Sequence, residues 1–85
     1  MSETAEIRLK RLHMRSMRRG IKEMDILLSA YAEAHLASLS AAELDLYEAL
    51  LDENDQDLLS WVTGQTAAPE RFTSLITRIS QMFQG

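Results

Sequence analysis

Between residues 15 and 25 the chain reads Arg15-Ser16-Met17-Arg18-Arg19-Gly20-Ile21-Lys22-Glu23-Met24-Asp25, and this stretch concentrates more chemistry than any other. Paired guanidinium groups stand before a glycine, and two carboxylates follow it. Guanidinium and carboxylate groups form charge-assisted hydrogen bonds. A glycine between them removes the side chain that would hold another backbone away. The pattern therefore suits recognition of another protein. A local role for Glu23 stands beside it: if Gly20 caps the next helix, Glu23 can reach back to the Gly20 amide.

Bond-making chemistry finds little support. There is no cysteine, which excludes disulfides and thiolate metal sites, and no serine stands in a glycine-flanked elbow. His13 and His35 lie far apart and lack the His-x-x-x-His spacing that directs two ligands to one ion. His35 falls on an apolar helix face, where a partly buried, hydrogen-bonded imidazole is the commoner arrangement. Asp52, Glu53, Asp55 and Asp57 read as a helix end followed by an acidic first turn, which suits the dipole of the next helix. The chain is expected to be neither an enzyme nor a metal protein.

The net charge of −4 divides unevenly: residues 1–24 carry +4 and the remainder −8. Such a division points to a directed binding face. A small nucleic-acid-binding module using the basic N-terminal helix is the alternative reading, since phosphates reward clustered Lys and Arg. Against it, residues 1–24 contain no aromatic residue to stack on bases. No apolar run approaches the roughly 20 residues needed to span a bilayer. Residues 1–6 do not resemble a secretory signal, and the simplest address is cytoplasmic.

The elements that must position these residues are helices. Apolar residues make up 46% of the 85, enough for one compact core and against disorder. Only three glycines and one proline interrupt the pattern. Helix 1 is expected over about Thr4–Met17, with Ile7, Leu9, Leu12 and Met14 available for burial. Gly20 breaks the chain, and helix 2 follows to about Ala37 with Ile21, Met24, Leu28, Tyr31 and His35 on one face. Ser40 and Glu43 form a capping box for helix 3, whose face uses Leu44, Tyr47, Leu50 and Leu51. Asp55 is expected to cap helix 4, with Leu58, Leu59, Trp61 and Val62; Tyr47 and Trp61 read as core residues. Gly64 closes that helix in the left-handed region. Pro69 opens helix 5, with Phe72, Leu75, Ile76, Ile79, Met82 and Phe83. The expectation is an all-α, compact five-helix bundle forming a single domain over residues 1–85.

These residues resemble a known family. Arg19-Gly20-Ile21-Lys22-Glu23 matches the Arg-Gly-x-x-Glu signature of the succinate dehydrogenase flavinylation factors, the SdhE family. Arg11-Leu12 and Arg15-Ser16-Met17-Arg18 resemble its basic lead-in. Tyr31-Ala32, His35-Leu36, Tyr47-Glu48, Leu50-Leu51, Asp55, Asp57-Leu58, Trp61 and Gly64 follow in order, so roughly residues 8–83 are covered. Gln56 stands where the family often has proline. The resemblance implies a chaperone-like assembly factor that binds the flavoprotein subunit of succinate dehydrogenase, and in some members of fumarate reductase. It promotes covalent attachment of FAD to that partner, without holding a cofactor stably itself. It also implies that Arg19, Gly20 and Glu23 form the partner-binding core, with Arg18 and Asp25 beside them. A monomer is expected. A rival in which the protein carries FAD itself lacks a glycine-rich phosphate loop after a strand.

Overall fold

The structure is a computed structural model that describes residues 3–84, and side chains as far as Met82. Among the described residues there are five α-helices and no strand: α1 (Ala5–Arg15), α2 (Lys22–His35), α3 (Ala41–Leu51), α4 (Asp55–Val62) and α5 (Thr73–Gln84). A 3-10 turn, Leu36–Ser38, extends α2, and another, Glu70–Phe72, leads into α5. The expected five-helix, all-α architecture is what the chain forms.

α2 lies at the centre, packed against α1, α4 and α5. It contributes Met24, Leu27, Leu28, Tyr31 and Ala32 to the core. Tyr47 and Leu50 from α3, Leu58 from α4, and Phe72 and Ile79 from the α5 segment close over it, all fully buried. Trp61 is only partly buried, with its ring 6.0 Å from that of Phe72. The helix starts follow local chemistry. Ser40 and Glu43 form the expected capping box, with Ser40 N–H donating to Glu43 at 2.8 Å and Glu43 N–H to Ser40 Oγ at 3.2 Å. Gly64 takes φ +82° at the end of α4, a conformation that favours glycine.

Several local expectations need correction. α1 ends at Arg15 rather than Met17, because the Met17 N–H turns back to the Met14 carbonyl in a tightened i→i−3 bond of 3.2 Å and Arg18 enters the left-handed region at φ +56°. Ile7 and Met14 are exposed, and Leu12 is the one fully buried apolar residue of α1. The cap of α4 is Asn54, which accepts the Gln56 N–H at 2.8 Å, and not Asp55. Pro69 starts a 3-10 turn, and the α-helix proper begins at Thr73. His35 is exposed against the Tyr31 ring rather than partly buried. The Phe83 side chain lies outside the described residues.

Candidate docking site at the α1–α2 junction

α1 is held to α3 by a seam of ion pairs. Arg8, Arg11 and Arg15 recur at spacings of three and four, which places them on one helix face, and Asp45, Glu48 and Asp52 recur likewise. Arg8 donates to Asp45 at 2.6 Å and to Glu48 at 3.1 Å. Arg11 donates to Glu48 at 2.8 Å and to Glu3 at 2.7 Å, and Arg15 pairs with Asp52. The partner numbers climb together, so the two helices run parallel along the seam. The Arg11 guanidinium beside it holds the Glu48 carboxyl below the usual carboxylate range, with Arg8 adding to the effect. Glu3 is lowered for the same reason, by the hydrogen bond from Arg11.

This arrangement revises the reading of the charge division. Most of the N-terminal positive charge is committed within the protein. Among the described residues only Lys10, Arg18 and Lys22 of that half lack an ion pair. The nucleic-acid alternative required a free basic helix, and among the described residues Lys10 alone of the four Lys and Arg residues of α1 stays without an ion pair.

The loop from Ser16 to Ile21 is built by specific bonds. Ser16 is fully buried, and its hydroxyl lies 2.6 Å from the Tyr47 hydroxyl. Burial pushes the Tyr47 hydroxyl up to about 12. Arg18 takes φ +56°, a strained conformation for a residue with a side chain, and its N–H donates to Asp25 Oδ1 at 3.0 Å. The Ser29 hydroxyl reaches the Ser16 carbonyl at 3.3 Å. The loop is thereby laid along the first turns of α2.

The five residues singled out in the sequence meet here with unequal exposure. Arg19 does not present its charge: its side chain is 11% exposed and its Nε donates to Asp55 Oδ1 at 2.8 Å. Its Nη1 donates to the carbonyls of Arg15 and Leu51, each at 3.1 Å. Asp25 is half-buried and faces the loop rather than solvent. Arg18, Gly20 and Glu23 are exposed. Gly20 donates its N–H to Asp55 Oδ2 at 2.8 Å, so it does not receive Glu23 in a capping box. α2 is preceded by Ile21 as its N-cap, which makes no side-chain capping bond. Among the described residues the Glu23 side chain makes no hydrogen bond, and the residue is exposed.

Three features escaped the sequence reading. Asp55 closes the loop from 35 residues away, a pairing that no local pattern announces. Met14 and Met17, 73% and 50% exposed, border a hollow of about 120 Å³ together with Arg18. Lys22, at the start of α2, adds a cation with no ion pair among the described residues. The two methionines were detectable as apolar residues beside a polar break, but their outward direction depends on where α1 stops. No group of three or more metal-ligating side chains occurs among the described residues.

Fold and site together define a small all-helical protein with an exposed glycine set among charges of both signs. The chain belongs to the family described as flavinator of succinate dehydrogenase, whose model matches residues 10–83. It is similar to succinate dehydrogenase assembly factor 2, mitochondrial, of Meyerozyma guilliermondii, at 47% identity over 73 residues, covering 82% of this chain and 54% of that protein. The protein of the same name in Scheffersomyces stipitis is 41% identical over 85 residues, covering 96% of this chain and 56% of the relative. The one in Schizosaccharomyces pombe is 40% identical over 82 residues, covering 96% and 55%. The chain thus spans about half the length of the curated relatives it matches. Their names overturn the cytoplasmic address expected from the sequence, because each is a mitochondrial protein.

Proposed function

We propose that this protein is an assembly helper that binds the flavoprotein subunit of succinate dehydrogenase and favours covalent attachment of FAD to it. The observation that carries the reading is the accessible backbone at Gly20, bordered by the exposed residues Arg18, Lys22 and Glu23, in a chain of the flavinator family. The helper contributes no catalytic group. Linking a flavin to a histidine depends on holding the two in register, and orientation alone can remove much of such a barrier. A binding protein achieves this by preferring one conformation of its client, since a ligand shifts populations by its differential affinity.

Gly20 admits the client's backbone, Glu23 accepts its donors, and Arg18 with Lys22 meets its acids or carbonyls. Arg19 and Asp25 act behind this surface by holding the loop. The test is co-expression with the flavoprotein subunit, scoring complex by pull-down and covalent flavin by fluorescence of the denatured subunit. Gly20→Arg should keep its helical circular dichroism yet retain no subunit and raise no covalent flavin. Glu23→Ala should lose flavinylation with little change in melting temperature. Normal binding and flavinylation by Gly20→Arg would refute the assignment. Repeating the pull-down with the fumarate reductase flavoprotein separates the two clients.

A further inference from the structure

Asp55 grips both halves of the Arg19-Gly20 pair. Its Oδ1 accepts from Arg19 Nε and its Oδ2 from the Gly20 N–H, each at 2.8 Å. The guanidinium it holds reaches the Arg15, Leu51 and Glu53 carbonyls at 3.1, 3.1 and 3.4 Å. One carboxylate thus ties together the end of α1, the turn from α3 into α4, and the loop backbone. Asp55 is released from duty to its own helix because Asn54 supplies the α4 cap. The contact is also largely shielded from water, with side-chain exposures of 11% for Arg19 and 19% for Asp55.

We infer that Asp55 is a positioning residue for partner recognition: it presets the Gly20 loop in the docking conformation and touches no partner itself. This rests on the proposed function. The loop contains a strained Arg18, so it needs outside restraint to stay in one shape. A partner that recognises a single loop shape binds more weakly in proportion to the fraction of molecules holding it. Loss of the clamp therefore slows association. Once docked, the loop makes the same contacts, and dissociation is unaltered. A contact residue behaves in the opposite way, because its removal acts mainly on dissociation.

The experiment measures association and dissociation rates of wild type, Asp55→Asn and Glu23→Ala with the purified flavoprotein subunit, below the melting temperature of each. Hydrogen exchange of the Gly20 amide is followed on the same proteins. For Asp55→Asn the expected result is association slowed about tenfold with dissociation within about twofold of wild type. The Gly20 amide should be protected in wild type and exchange faster in the variant, which keeps one acceptor oxygen where the carboxylate had two and sets an NH2 donor against one of the two groups it held. Glu23→Ala should instead speed dissociation and leave the amide protected. A merely structural role for Asp55 would lower the melting temperature without this division of rates. If Asp55→Asn does not fold, Asp55→Glu carries the same test, since it keeps a carboxylate beside Arg19 while the longer side chain moves its oxygens off the Gly20 N–H. Wild-type binding together with an unchanged association rate in the variant would overturn the positioning role and leave the proposed function standing. Wild-type protein that does not bind the subunit would overturn both.

Discussion

Replacing Tyr47 by phenylalanine should make the protein less stable at neutral pH and more stable in alkali, so the two stability curves cross. At neutral pH the variant loses the hydroxyl that lies 2.6 Å from Ser16 Oγ and 3.4 Å from the Leu28 carbonyl. The Ser16 hydroxyl still donates to the Leu12 carbonyl at 2.8 Å, so no buried donor is orphaned. The cost should be that of one net hydrogen bond, about 1 kcal/mol. Alkali reverses the order. Burial raises the Tyr47 hydroxyl from 10.0 to about 12, so the folded state keeps its proton where the unfolded chain gives it up. That contribution is intact below the unfolded value and disappears as pH climbs through the folded one. A rise of this size corresponds to roughly 3 kcal/mol in all, of which about half is gone near pH 11. Wild type and Tyr47→Phe should therefore have equal stability at about pH 11. Urea unfolding at a series of pH values measures this, and the difference between the proteins cancels the titration of groups they share. Parallel curves from neutral pH to the alkaline limit would refute the argument, because they would mean that Tyr47 ionises as easily folded as unfolded.

Two further perturbations probe the seam and the loop. Glu48→Gln should weaken the fall in stability on acidification, since a lowered carboxyl stabilises above its unfolded value and the benefit disappears as pH drops through the folded one. The melting-temperature difference should also shrink in roughly molar salt, where the screening length is about 3 Å; thermal melts at two pH values and two salt concentrations check both. Gly20→Ala should change stability by no more than about 1 kcal/mol, a shift of roughly 4–8 °C at most. The new Cβ would stand 3.3 Å from Asp55 Oδ2, and Gly20 is not in the left-handed region. Calorimetry of that variant distinguishes a glycine kept for access from one required by the backbone.

The fold was largely legible in the sequence because its signals are local. Met24, Leu28 and Tyr31 recur at helical spacing and are buried together. Ser40 with Glu43, and Gly64, announce helix ends that three or four residues suffice to define. The site was legible as a location but not as a set of roles. Whether Arg19 faces solvent or protein depends on Asp55, brought beside it only when α4 packs against α2. Asp25 looked available for a partner because nothing local explained it, and the explanation is the Arg18 amide on a left-handed turn. The division of charge misled for the same reason: Arg8, Arg11 and Arg15 meet their counterions across a helix pair. A pattern confined to one helix cannot reveal that neutralisation.

The arginine seam also governs how a salt titration of complex formation should be interpreted. α1 has a single fully buried apolar side chain, so much of its attachment is ionic, and it carries Met14 and leads directly into Met17 and Arg18. Raising ionic strength loosens this arm within the helper before any client arrives. Weaker complex formation in high salt can therefore arise from a frayed helper alone, even when the client contributes no charge to the contact.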